Sequence, residues 1–226
     1  YRYFETKELH LGLRDRTGLL AAIIDSPFQR MVNQGGLMHL LMNWSEDRHA
    51  VTAAYAKEEK SVLELIDRCL AKGIEAIILA DDLAGESGPF INPLELDLVC
   101  SPFYARAVAS IRAAGCLVLL HCCGNLTQLF PLIKSWNFDG LAAIQLGKND
   151  PNLLHQEMGG MLIAGIDGSL LQTDDPAIKE MAALKEFATR MGTEGRLILS
   201  SSCGLYSADF WGRLQRIYQE LGNILS

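Results

Sequence analysis

The sequence alternates short apolar runs with longer amphipathic stretches, and this alternation recurs along its length. The runs occupy residues 19–24, 76–80, 117–120, 140–144, 161–166 and 196–200. Each run has the continuous apolar character of a strand that is buried on both faces. Strands that alternate with helices predict right-handed β-α-β units and a parallel sheet covered by helices.

The stretches between the runs carry apolar residues at the three-to-four spacing of one helix face. Helices are predicted over residues 46–72, 93–114, 126–135, a short segment after Pro151, 176–191 and 208–221. Gly73 and Gly115 each follow a helix, where glycine is the usual stop. Pro102 lies inside the second helix and is expected to kink or divide it.

Polar residues stand at the carboxyl end of nearly every predicted strand. They are Asp25, Asp81, Asp82, His121, Cys123, Gln145, Asp167 and Cys203. A barrel gathers such strand ends around one mouth, where its active site lies. An open dinucleotide-binding sheet would need a Gly-x-Gly-x-x-Gly turn after the first strand, and residues 25–28 read Asp-Ser-Pro-Phe instead. We therefore predict an α/β fold, a (β/α)8 TIM-type barrel that forms a single domain over residues 1–226.

Charge and apolar patterning exclude some classes of partner. The formal net charge is −7 over 226 residues, whereas nucleic-acid-binding domains usually show a basic excess. No apolar run approaches the roughly 18–20 residues that a membrane span needs, and no signal peptide opens the chain. We expect a cytoplasmic protein that binds neither nucleic acid nor membrane.

A histidine and two cysteines at strand ends predict a metal site. His121 and Cys123 are two residues apart, so an extended chain points both side chains to one side and Cys122 to the other. Cys203, at the end of the last strand, supplies a third ligand from across the mouth. Three protein ligands with one exchangeable position are typical of a catalytic zinc ion.

Carboxylates and one amide complete the set of candidate site residues. Asp81 and Asp82 are candidate catalytic groups, and alternation aims one inward and the other aside, where it would cap the following turn. Gln145 and Asp167 end two further strands and are candidate substrate-binding residues. Asp167 precedes Gly168, and Asp-Gly is also a common turn.

Three strand-end motifs together resemble those of a known superfamily. They are Asp81-x-x-Ala84-Gly85, His121-x-Cys123-Gly124 and Ser202-Cys203-Gly204. In order and spacing they resemble the uroporphyrinogen decarboxylase superfamily, which has a (β/α)8 barrel and two main branches. One branch decarboxylates uroporphyrinogen without a metal. The other comprises cobalamin-dependent methyltransferases, including enzymes that methylate coenzyme M.

The resemblance favours the methyltransferase branch. That branch is marked by His-x-Cys and a later Cys that bind zinc, which His121, Cys123 and Cys203 match, whereas the decarboxylase has a histidine in a Gly-His-Gly setting near position 203. The implied activity is transfer of a methyl group from methylcobalamin or another corrinoid, free or on a corrinoid protein, to a thiol. Coenzyme M, homocysteine and a folate-type acceptor all remain open.

Two other functions stay open at this point. Asp81 matches the catalytic aspartate of the decarboxylases, so the chain is alternatively a metal-free lyase; a non-catalytic tetrapyrrole-binding protein is the third hypothesis. The chain opens on Tyr1 and shows fewer strand-helix units than a (β/α)8 barrel has. We expect the first one or two units of the barrel to be missing.

Overall fold

A computed structural model describes residues 19–166, 168, 171, 178–202 and 207–225. Its strands are β1 (Ala21–Asp25), β2 (Ala76–Ala80), β3 (Leu117–His121), β4 (Gly140–Gln145), β5 (Met161–Ile166) and β6 (Leu197–Ser201). All six predicted strands are present, with bounds that differ from the predicted ones by two residues at most. The continuous apolar runs are the reason, because each lies in a sheet whose central strands are buried.

Helices alternate with these strands along the chain. They are α1 (Pro27–Gly35), α2 (Leu37–Glu46), α3 (Arg48–Ala71), α4 (Pro93–Ala113), α5 (Phe130–Ser135), α6 (Pro151–Glu157), α7 (Ile178–Thr193) and α8 (Ala208–Leu225). The prediction missed α1 and α2, which are short and separated by Gly36 at φ 85°. Pro102 does not divide α4. Its ring costs one helical hydrogen bond to the carbonyl of Leu98, which lies on an exposed turn where water can replace it.

The strands follow one another in space in the order of the sequence. The order is β1-β2-β3-β4-β5-β6, and every neighbouring pair is parallel. This is the order of a (β/α) barrel wall and confirms the predicted α/β barrel class. Over the described residues, the sheet is not closed between β1 and β6.

The two faces of the sheet are unequal. On β3, Val118 and Leu120 are fully buried in the core that α3 and α4 share, whereas Leu117 is exposed. On β1, Ala22 is fully buried, whereas Ile23 is half exposed. We call the buried side the helix-packed face and the other side the inner face, which is the lumen side of a barrel.

The register brings the ends of the first three strands level. Asp25 pairs with Ala80, and Ala80 pairs with His121. The residues that follow β2 and β3 therefore emerge side by side at one edge of the sheet. Among the described residues, no helix combines the length and the apolar character that a membrane span needs.

Candidate metal centre

Three side chains from two strand ends meet on the inner face. Asp82 follows β2, His121 ends β3 and Cys123 comes two residues later. Their potential ligand atoms all lie within 4.8 Å of one another, and each residue is partly buried. The Nε2 atom of His121 is 3.7 Å from the Sγ atom of Cys123. The structure therefore brings together His121 and Cys123, as alternation predicted, and adds Asp82 to them.

The local electrostatics favour the neutral form of His121. Burial lowers the pKa of His121 below its usual value, and the negative charges of Asp82 and Asp25 oppose that shift only in part. A neutral imidazole has a lone pair available for a metal ion. One oxygen of Asp82, Oδ1, accepts a hydrogen bond of 3.0 Å from the backbone N–H of Cys123, which ties the two strand ends together.

Asp81 lies away from this group, on the helix-packed face. Its side chain is fully buried and accepts hydrogen bonds from the backbone N–H of Gln29, at 2.7 Å, and from the hydroxyl of Tyr104, at 2.5 Å. Burial raises the pKa of Asp81 to about 8, although these two hydrogen bonds oppose the shift. Asp81 thus links α1 and α4 to the end of β2, and it does not share the inner face with His121.

Cys122 also points into the helix-packed face. It is buried within the main core, and its Sγ accepts a hydrogen bond from the backbone N–H of Leu83. Burial raises the pKa of the Cys122 thiol well above its usual value, so this thiol stays protonated and packs as a small apolar group. The alternation from His121 to Cys123 therefore follows the prediction.

The remaining predicted site residues have different placements. Gln145 is buried at the end of β4, and its Oε1 accepts a hydrogen bond of 2.8 Å from the backbone N–H of Gly124. Gln145 thus supports the loop that carries Cys123, in addition to any contact with a substrate. Asp167 and Cys203 lie outside the described residues. Their neighbours Ile166 and Ser202 are joined by a backbone hydrogen bond of 3.0 Å, which holds the ends of β5 and β6 together.

Two residues that contact the site, Gln29 and Asn149, were not predicted from the sequence. Gln29, on α1, accepts a hydrogen bond of 3.3 Å from the backbone N–H of Asp82. Asn149, in the loop after β4, is buried and hydrogen-bonded to the loop that follows Cys123. In the sequence, Asn149 could have been singled out only by its position four residues after Gln145, which ends β4.

Comparisons with known proteins give the family. The sequence matches the family described as Uroporphyrinogen decarboxylase (URO-D) over residues 13–208. The chain therefore belongs to the uroporphyrinogen decarboxylase family, which is a family of enzymes. A comparison with curated proteins gave no match.

Solved structures share the fold. A methyltransferase from Methanosarcina mazei superimposes with a TM-score of 0.69 at 16% identity, over 95% of this chain and 63% of that one. A structure from Listeria monocytogenes, assigned as a vitamin-B12-independent methionine synthase, superimposes with a TM-score of 0.61 at 16% identity, over 93% of this chain and 65% of that one. The chain spans less than two thirds of either structure, and the likeness establishes the fold.

Proposed function

We propose that this chain is a zinc-dependent methyltransferase that moves a methyl group from a methylated corrinoid to a thiol or a related acceptor. The observation that carries the proposal is the convergence of Asp82, His121 and Cys123 on the inner face of the sheet. These residues offer oxygen, nitrogen and sulfur, the three donor types that zinc accepts in proteins.

The spacing of the donors agrees with zinc. Zinc–nitrogen and zinc–sulfur bonds of about 2.0 and 2.3 Å at tetrahedral angles place the two ligand atoms about 3.5 Å apart. The observed distance from Nε2 of His121 to Sγ of Cys123 is 3.7 Å. The neutral state of His121 favours the same role, since a protonated imidazole cannot bind a metal ion. Cys203 remains the proposed third protein ligand on the strength of the sequence motif.

The donor set also supports the chemistry. When bound, zinc would keep the acceptor thiol ionised at neutral pH, as metal ions do for the thiols they bind. A methylated corrinoid, when bound, would supply an electrophilic methyl group, and its cobalt would retain the electron pair of the cobalt–carbon bond as the methyl group passes to the acceptor sulfur. Asp82 has two candidate roles: it is the ligand that the acceptor displaces, or it takes the proton of the acceptor thiol. Its Oδ1 holds the N–H of Cys123, so Oδ2 is the oxygen we assign to either role.

The identities of the methyl donor and of the acceptor are proposed separately. The sequence motifs favour a corrinoid, carried by a corrinoid protein or free, whereas one structural neighbour is assigned as a vitamin-B12-independent enzyme. Both neighbours carry descriptions of methyl-transferring proteins. Methylcobalamin is the first donor to test, with coenzyme M, homocysteine and a tetrahydrofolate as acceptors.

The metal-free decarboxylase is the weaker alternative. That hypothesis needs Asp81 to face the substrate. Asp81 is fully buried on the helix-packed face, and both Tyr104 and Gln29 donate hydrogen bonds to its carboxylate. The placement of Asp81 agrees better with a structural role.

Metal analysis of the purified protein tests the proposal directly. We expect about one zinc ion per chain, with loss of the metal in Cys123→Ala, His121→Ala and Cys203→Ala. Cys116→Ala is the matched control, because the Cys116 thiol is half-buried and donates to the carbonyl of Ile74, away from this group. A folded wild-type protein that binds no zinc when reconstituted would refute it, and so would a zinc-loaded protein that transfers no methyl group to any of the acceptors from methylcobalamin, whether free or bound to a corrinoid protein.

A further inference from the structure

The loop of residues 123–126, which we call the ligand loop, is held by partners distant in sequence. The backbone N–H of Cys123 donates to Asp82, that of Gly124 donates to Oε1 of Gln145, and that of Asn125 donates to the carbonyl of Gly85. These are long-range hydrogen bonds, whereas most turns are closed by local ones. The position of Cys123 is therefore fixed by the segment that follows β2 and by the last residue of β4.

The side-chain amide of Asn149 makes two hydrogen bonds to the ligand loop, one through its oxygen and one through its nitrogen. Its Oδ1 accepts a hydrogen bond of 2.8 Å from the N–H of Leu126, and its Nδ2 donates at 2.9 Å to the carbonyl of Gly124. The same Nδ2 lies 3.0 Å from the carbonyl oxygen of Gln145, to which it also donates. Asn149 is only 2% exposed, so water cannot replace these bonds.

The segment that carries Gln145 and Asn149 is itself firmly anchored. The carbonyl of Gln145 accepts hydrogen bonds from the backbone N–H groups of Lys148 and Asn149. The next residue, Asp150, caps α6 by accepting from the N–H groups of Asn152 and Leu153. The two amide side chains therefore project from the end of β4 and from a hydrogen-bonded turn between β4 and α6.

We propose that Gln145 and Asn149 are positioning residues that hold Cys123 in its ligating position and thereby set the affinity for zinc. This inference rests on the proposed function, because it needs a metal ion at Cys123. It gives Gln145 a role different from the substrate binding expected from its place at a strand end. Outer-shell partners that fix metal ligands in this way typically contribute about 10–100-fold to metal affinity.

The test is the zinc dissociation constant, measured by competition with a chromophoric chelator. Asn149→Ala removes both side-chain hydrogen bonds to the ligand loop. Gln145→Met removes the oxygen that accepts the backbone N–H of Gly124 and keeps the side-chain volume nearly constant. We expect each to raise the dissociation constant about 10–100-fold. We also expect weaker thiolate-to-metal absorption in the Co²⁺-loaded variants. Asn152→Ala is the matched control, because Asn152 is exposed and its side chain contacts Arg190; its zinc affinity should equal that of the wild type.

The possible results separate the proposed function from the positioning role of Gln145 and Asn149. A wild-type protein without zinc would refute the proposed function and this inference with it. Folded variants that bind zinc as tightly as a zinc-binding wild type would refute this inference alone. If thermal unfolding shows that both metal-free variants have lost the fold, the two amides are stability elements, and the inference is wrong in that case too.

Discussion

Asp81 and Asp82 are adjacent in the chain, yet their carboxyl groups lie on opposite faces of the sheet. Asp81 accepts the hydroxyl hydrogen of Tyr104 among the helices, and Asp82 accepts the backbone N–H of Cys123 beside the candidate metal centre. Strand alternation requires this division, since consecutive side chains point to opposite sides. The two residues should therefore respond differently to the same substitution.

Asp82→Asn is expected to weaken zinc binding while Asp81→Asn is not. The amide oxygen of an asparagine at position 82 still accepts the N–H of Cys123, so the ligand loop stays in place while the anionic oxygen is lost. We expect the zinc dissociation constant of Asp82→Asn to rise at least about tenfold. Chelator competition on both variants measures this, and the prediction fails if Asp81→Asn loses more zinc affinity than Asp82→Asn.

Asp81 should make the stability of the metal-free protein depend on pH. Its pKa is raised to about 8 in the fold because the carboxyl is buried, whereas an unfolded aspartate ionises near pH 4. Between these values the unfolded chain has lost the proton that the folded chain keeps. The free energy of unfolding therefore falls as pH rises from about 4 to about 8, by up to about 1.4 kcal/mol per pH unit, and levels off above.

Denaturant unfolding in the presence of a chelator, at several pH values, measures this slope. Asp81→Asn has no carboxyl to ionise at this position, so its unfolding free energy should fall less steeply over the same range. The other titrating groups are common to both proteins and cancel in the difference. Parallel curves for the wild type and Asp81→Asn would rule out the proposed role of Asp81.

Tyr104→Phe should lower stability without changing the metal content. The Tyr104 hydroxyl is fully buried, and its removal leaves one oxygen of Asp81 without its donor. An unsatisfied buried acceptor costs about 1–3 kcal/mol. Calorimetry or denaturant unfolding measures the loss, and zinc analysis of the same samples provides the control. Loss of zinc at unchanged stability would mean that Tyr104 acts on the candidate metal centre instead.

The central strands were predictable from sequence because most of their residues are buried. The runs at 76–80 and 161–166 are strands with the predicted bounds, since a parallel strand covered on its faces needs an unbroken apolar run. The region of α1 and α2 was not predictable in the same way. Each helix is only two to three turns long, and neighbouring glycines at positions 35 and 36 interrupt the helical pattern.

The candidate site was predictable only where it depends on local geometry. His121 and Cys123 are two residues apart at a strand end, so alternation alone places them on one side. The choice of Asp82 over Asp81 depends on which face the helices cover, and the support from Asn149 depends on how the loop after β4 packs against the ligand loop. Both are properties of tertiary packing, which no local pattern encodes.

Gly124→Ala is expected to damage both the fold and the candidate metal centre. Gly124 has φ +92°, and a Cβ atom there would lie 2.5 Å from the carbonyl oxygen of Ala84, where the loops after β2 and β3 touch. Gly115 has φ +74° but no atom within 4 Å of its would-be Cβ, so Gly115→Ala is the matched control. In the control, the free energy of unfolding should fall only by the strain of an alanine in the left-handed conformation, about 1–2 kcal/mol.

Gly124→Ala should lose clearly more stability than this control, because backbone atoms on both sides must also move apart. That movement shifts the ligand loop, so its zinc affinity should fall while that of Gly115→Ala stays at the wild-type value. Denaturant unfolding of the metal-free proteins and chelator competition on the zinc-loaded ones measure the two effects separately. Equal losses of stability in the two variants would show that the loops after β2 and β3 can separate freely, and that the close contact at Gly124 does not hold Cys123 in place.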